Sequence, residues 1–298
     1  KNIYSEGNEN ELRHIAYGII LSYNDTNGEK TVFFIGWMGN SSMAWGMLLS
    51  STELQTRQTV STTINVYPLN NTYTTTTPGE STSQHTHCVC NGTASGIGGH
   101  TCDNSTQWKA VTDELPTESG NYYLTQPIEL SSTWTPADGT NLCLNGQTIT
   151  YTGVGHAIKV SNGGFSLTDD KGTGKIASPK SRGVNVNGSN STFNMYGGSI
   201  TGCDGRGSGQ IVTVDYGTFN LFGGSIDHNT TTSRGTVYVG NYATANMYGG
   251  KITENTLTTS NDYGGSGVYV VGKFTMNDGE ITNNTTKSTG GGIYLTSS

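Results

Sequence analysis

Three of the five cysteines and three of the six histidines fall between residues 85 and 102. They read His85-Thr-His87-Cys88-Val-Cys90 and, beyond a Gly-rich stretch from Asn91 to Gly99, His100-Thr-Cys102. Thiolate and imidazole together suit tetrahedral Zn²⁺. Cys88, Cys90, His100 and Cys102 make the tidiest ligand set, and His85 or His87 can stand in for one member. Four protein ligands leave no open position, so a zinc held there is structural rather than catalytic. Cys-x-Cys is a less typical zinc spacing than Cys-x-x-Cys. A disulfide from Cys88 or Cys90 to Cys102 is the competing chemistry, and an oxidising exterior favours it. Three cysteines leave an odd one, which weakens that reading, and zinc is the expectation. Cys143 and Cys203 stand far along the chain at non-equivalent positions and read as isolated thiols.

The second chemistry to weigh is glycoside cleavage, which needs two carboxylates roughly 5–10 Å apart beside the sugar. Asp169, Asp170, Asp204, Asp215, Asp227, Glu254, Asp278 and Glu280 are the candidates. Asp227 and Glu254 fall in adjacent columns of the repeat described below rather than in one cluster. Lys175, Arg182, Arg206 and Arg234 are scattered, so no basic partner is at hand for a lyase. These acids read as solvated turn residues, no catalytic residue is assigned, and the chain is not expected to be an enzyme. Tyr17, Trp37 and Trp45 could form a sugar-binding platform, but residues of this kind are more often core.

What must position these residues is a repeat. Phe193-Asn-Met-Tyr-Gly-Gly-Ser-Ile200, Phe219-Asn-Leu-Phe-Gly-Gly-Ser-Ile226, Ala245-Asn-Met-Tyr-Gly-Gly-Lys-Ile252 and Phe274-Thr-Met-Asn-Asp-Gly-Glu-Ile281 begin 26, 26 and 29 residues apart. Two weaker copies precede them. Leu142-Cys-Leu-Asn-Gly-Gln-Thr-Ile149 aligns without a gap, and Phe165-Ser-Leu-Thr-Asp-Asp takes an insertion before Ile176. Each copy carries a second alternating piece, such as Thr236-Val-Tyr-Val239 or Gly267-Val-Tyr-Val270. Alternation is the period of a strand, and Gly pairs punctuate it where corners are needed. A coil of about 26 residues cannot bury its own apolar face, whereas stacked coils can.

The alternation turns Phe193, Met195, Ile200 and their equivalents inward. It turns Asn194/Asn220/Asn246 and Tyr196/Phe222/Tyr248 outward. Cys203, Asn229, Asn255 and Asn284 form a further column, in which amides can bond from coil to coil.

Phe-Asn-Met-Tyr-Gly-Gly-Ser-Ile and Gly-Val-Tyr-Val resemble the pectin-lyase-like parallel β-helix repeats of large surface proteins from gut Firmicutes. Leu115-Pro-Thr-Glu-Ser-Gly-Asn-Tyr-Tyr-Leu124 is similar to the opening coils of those domains, and the resemblance spans residues 85–298. It implies an adhesin-like, modular, bacterial surface protein.

The expected architecture is all-β. Residues 1–68 form a small β-sandwich-like domain, 69–84 a Thr/Ser/Pro linker, 85–110 the Cys/His-rich segment and 111–298 a right-handed parallel β-helix. In the first domain, His14–Tyr23 and Thr31–Trp37 flank the hairpin signal Asn27-Gly28. Met43–Leu49 and Thr59–Tyr67 supply two more strands.

Only 12% of residues are charged and the net charge is −7, with no basic cluster. Nucleic acid and anionic membrane surfaces are therefore poor partners. No apolar run approaches the ~20 residues that span a bilayer. The function read from this is an extracellular, non-catalytic surface adhesin or structural stalk or fibre, with a carbohydrate-active β-helix enzyme as the alternative. A glycan or host matrix surface is the partner class. The last coil, with Phe274, Met276, Ile281 and Ile293, is expected to present an open apolar end through which solenoids can self-associate, unless the chain continues.

Overall fold

The computed structural model describes the backbone of three strands between residues 15 and 48, together with residues 85–92, 102–205, 209–259 and 264–296. The chain divides into two compact units, Lys1–Thr76 and Thr77–Ser298. In the first, strands Ile15–Asp25, Gly28–Gly39 and Ser42–Leu48 form one antiparallel sheet in that order. Asp25 faces Gly28 at the first hairpin. The fourth strand expected over Thr59–Tyr67 and the linker over 69–84 lie outside the described residues.

The second unit is a parallel β-helix. Alternating residues make short strands, and each strand pairs in parallel with its copy one coil away. The result is a twelve-stranded, a seven-stranded and a four-stranded sheet. In the largest sheet, Phe165 pairs with Phe193, Phe193 with Phe219, Phe219 with Ala245 and Ala245 with Phe274. Leu167, Met195, Leu221, Met247 and Met276 form the next inward row. The second sheet stacks Ile149, Ile176, Ile200, Ile226, Ile252 and Ile281. Up to the last coil, where Phe274 and Ile281 are only partly buried and Met276 is exposed, these rows meet in one continuous buried core. Rings of Phe165, Phe193 and Phe219 stack at 5.6 and 5.2 Å, and the edge of Trp134 closes the row on Phe165 at 5.4 Å. Burying side chains of this size stabilises the fold by about 1.5–3 kcal/mol each.

The four-stranded sheet is built from two-residue strands, Asp204–Gly205, Thr230–Thr231, Thr256–Leu257 and Thr285–Thr286. Pieces so short carry no readable alternation. The corner before this sheet is set by a column of left-handed residues, Gly202, His228, Glu254 and Asn283, with φ of 62°, 51°, 57° and 54°. Glycine is required where the backbone turns between the two larger sheets. At Gly224, φ is 76° and a Cβ would fall inside contact distance of the Gly198 carbonyl oxygen one coil away.

One register differs from the sequence alignment. Thr140, not Leu142, pairs with Phe165, and Leu142 pairs with Leu167. The copy from Leu142 to Ile149 is thus displaced by two residues in its first half, while Ile149 keeps its place beside Ile176. Cys143 accordingly aligns with Thr168, in the column that continues to Tyr196 rather than the one that continues to Asn194.

In the last coil, Met276, Ile293 and Leu295 are exposed large apolar residues. No helix among the described residues is long and apolar enough to cross a membrane.

Candidate metal centre

The Cys/His segment lies against the outer face of the largest sheet. A bridge from Thr86 to Gln107 joins its two ends, and Trp108 N donates to the His85 carbonyl at 3.1 Å. The Trp108 indole donates to the His87 carbonyl at 2.9 Å. Asn91 Nδ2 donates to the Asp169 carbonyl at 3.2 Å. Cys88 and Cys90 pack with Tyr196, with Cys102 and Phe222 against them. The segment covers an outward column of the helix: Tyr123 pairs with Cys143, Cys143 pairs with Thr168, and Tyr196 and Phe222 follow in register. Cys143 and Tyr196 point away from the core and are nonetheless buried, because this segment lies over them.

Two groups of possible metal ligands result. In each, one ligand atom from every residue lies within 4.8 Å of the others. The first is Cys88, Cys90 and Cys102, three members of the set expected from the sequence; the fourth, His100, lies outside the described residues. Cys90 and Cys102 are joined as a disulfide, with Cα atoms 6.6 Å apart. Cys88 Sγ lies 3.0 Å from Cys90 Sγ. The sequence weighed zinc against a disulfide for this cluster; its three sulfurs lie close enough to share a metal ion, and Cys90 and Cys102 stand close enough to pair, so the cluster can hold either.

The second group is His85, His87, Cys143 and Asp170, brought together from the segment and from two successive coils. The sequence did not point to it, because Cys143 read as an isolated thiol and Asp170 as a turn acid. The His85 ring stacks on Tyr123 at 4.1 Å, and the His87 ring stacks on Trp108 at 4.4 Å. His87 Nδ1 lies 2.8 Å from the Cys88 carbonyl oxygen, which can only accept, so Nδ1 carries the proton. That leaves a lone pair on His87 Nε2, and Nε2 is buried with no hydrogen-bond partner. His85 Nε2 is buried and unpartnered as well. The Cys143 thiol faces Asp170 Oδ1 at 3.5 Å, and Lys171 Nζ lies 2.9 Å from Asp170 Oδ2. Burial pushes the Cys143 thiol up to about 12. Burial also lowers His85, favouring the neutral imidazole. At Asp170 burial acts upward, but the contacts with Lys171 and Cys143 hold the carboxyl below its usual range. The Cys/His segment can therefore hold a metal. Cys203, the remaining thiol, is buried inside the helix.

The carboxylates weighed for glycoside cleavage have structural engagements. Buried Asp169 accepts from Gly146 N and Gly174 N, both at 2.7 Å, and clamps two turns together. Asp215 accepts from Asn185, Asp278 from the Gly279 amide, and Glu280 pairs with Lys251. Asp227 accepts from Thr201 and Ser225. His228 sits between Asp227 and Glu254, at 2.8 and 3.0 Å. Arg206 lies outside the described residues. In the N-terminal sheet, Tyr17 and Trp45 both pair with Gly36, and Trp37 pairs with Ala44.

No family of known proteins, no curated protein and no solved structure matches this chain. The resemblance to pectin-lyase-like repeats holds at the level of the parallel β-helix.

Proposed function

We propose that this chain is part of an extracellular, non-catalytic bacterial surface protein, an adhesin or stalk whose working surface is the outer face of the β-helix. The observation that carries the reading is the pair Tyr216 and Tyr242. Their rings stack at 6.0 Å with planes 2° apart, and they stand 44% and 75% exposed. Exposed aromatic rings in register give sugar C–H groups a flat apolar surface, while neighbouring amides and hydroxyls can meet the sugar hydroxyls. The next coil is shortened here. Val239 is followed by four residues before Thr244, but Val270 by only two before Lys273, so no ring follows Tyr242 in register.

Asp227, His228 and Glu254 are the group from which a carbohydrate-active enzyme would be argued. The imidazole fills the gap between the two carboxylates, where substrate or water would have to enter. A glycan array probed with the intact chain and with Tyr242→Ala tests the reading. Retention of defined glycans that drops at least about tenfold in the variant, a loss of ~1.4 kcal/mol, supports it. Undiminished retention by the variant removes Tyr242 from the binding face. Cleavage of a bound polysaccharide overturns the non-catalytic assignment.

A further inference from the structure

We propose that His85, His87, Cys143 and Asp170 form a structural Zn²⁺ site that pins the Cys/His segment to the flank of the β-helix. Two imidazole nitrogens, one thiol sulfur and one carboxylate oxygen lie within 4.8 Å of one another. Ligand atoms at about 2.0–2.3 Å around one tetrahedral zinc stand at comparable separations from each other. The set is mixed and borderline-soft, the preference of Zn²⁺ rather than of Ca²⁺ or Mg²⁺, which take oxygen.

The second observation is independent of the spacing. His85 Nε2 and His87 Nε2 are both buried and without a hydrogen-bond partner. A buried nitrogen left unmatched forfeits the hydrogen bonds it had in water, so two in one place need a partner, and a metal ion supplies it. The tautomer of His87 is already the one a ligand needs. Its Nδ1 proton is held by the Cys88 carbonyl at 2.8 Å, and Nε2 offers its lone pair. Histidine ligands are ordinarily oriented in this way by a second contact on the far nitrogen. Stacking on Tyr123 and on Trp108 holds the two ring planes.

The charges balance. Zn²⁺ binding displaces the proton of the Cys143 thiol, which leaves as a solvent proton. Thiolate and Asp170 carboxylate then offset the two positive charges, and the histidines stay neutral. Lys171, which faces Asp170 Oδ2, remains available to the outer carboxylate oxygen as a contact around the site.

The consequence is mechanical. The ligands join residues 85–87 to positions 143 and 170, which lie on successive coils. One ion would thus fasten the segment across the stack, over the column that continues to Tyr196 and Phe222. The Cys90–Cys102 disulfide closes the segment on itself, and the metal attaches it to the helix. The inference is independent of whether the outer face binds glycans.

The experiment uses the intact chain, expressed in zinc-supplemented medium and purified without chelator. Zinc content is measured for the native sequence and for His87→Gln, Cys143→Ser and Cys102→Ser. About one zinc per chain is expected in the native protein and in Cys102→Ser, falling at least about tenfold in the other two. Far-UV circular dichroism verifies that the variants keep their β-structure. If Cys143→Ser does not fold, Co²⁺ substituted into the native chain answers instead. A tetrahedral d–d spectrum with charge-transfer intensity of one thiolate supports the site. A native protein without zinc overturns the inference, as does a folded Cys143→Ser that keeps it. Loss of zinc in Cys102→Ser, or the charge-transfer intensity of several thiolates, overturns it by placing the metal on the sulfur cluster.

Discussion

Asn255 Oδ1 accepts two hydrogen bonds from Asn229 in the preceding coil, from Nδ2 at 3.0 Å and from the backbone N at 3.1 Å. Asn255 in turn donates from Nδ2 to the Ile226 carbonyl and to Asn284 Oδ1, both at 2.9 Å. The ladder runs from the Cys203 amide to Asn284, and its two central members are buried. The left-handed residue before each asparagine turns the side chain inward at this corner. A buried polar group is tolerable only when its hydrogen bonds are complete, and stacking identical coils completes them.

Asn255→Ala should therefore strip partners from the Asn229 amide and the Ile226 carbonyl together. The expected cost is about 2–4 kcal/mol, the range for leaving buried groups unsatisfied. Asn246→Ala, in the outer ladder where Asn246 Nδ2 donates to Asn220 Oδ1 at 2.9 Å, should cost about 1 kcal/mol or less. Urea unfolding of both variants checks this. Equal shifts would mean that the corner ladder contributes no more than a surface one.

Met247 tests the inner row. Its side chain is 1% exposed, between Leu221 and Met276 in register. Met247→Asp buries an unpaired carboxylate and should cost several kcal/mol, enough to prevent folding of the coil. Asn246→Asp, one residue away on the outer face, should shift the thermal midpoint far less. Similar shifts for the pair would refute the assignment of faces.

His156 sets a pH dependence. Its Nε2 meets Thr213 Oγ1 at 3.1 Å, and burial, with Arg182 adding to it, lowers its pKa to about 3. Above pH ~6.5 the imidazole is neutral in folded and unfolded chains alike and contributes nothing. As pH falls below that, the unfolded chain takes up a proton that the folded chain refuses. Stability is lost progressively until about pH 3, at up to roughly 1.4 kcal/mol per pH unit. His156→Gln cannot titrate and should flatten this loss. Urea midpoints at pH 7 and pH 4 measure it. An unchanged difference between the two pH values in the variant would remove His156 as the cause.

Much of the helix was legible because its cause is local and repeated. Phe193, Met195 and Ile200 recur at nearly constant spacing, and period-two alternation turns them to one side. The stacked columns then follow from parallel pairing at a single register, as Phe193 opposite Phe219 shows. The third sheet was not legible. A two-residue strand such as Thr230–Thr231 has no period to detect, and its place comes from the corner at His228. In the N-terminal unit, the strands around Trp37 and Trp45 were readable from apolar runs, and they form one antiparallel sheet.

By itself, then, the sequence determined that the chain is an all-β repeat protein with a coil of about 26 residues, and that a short segment near residue 90 concentrates its thiols and imidazoles. Only the tertiary structure decided which of those groups meet. A displacement of two residues along a strand leaves every side chain on the face it already occupied, so the apolar pattern of Leu142 to Ile149 could not reveal that Cys143 belongs with Thr168 and Tyr196. Nor does any local rule bring residue 85 to residue 170. Contacts that distant are made by the stacking of coils and by what packs on their outer face. There His85 and His87 find Cys143 and Asp170, while Cys90 finds Cys102.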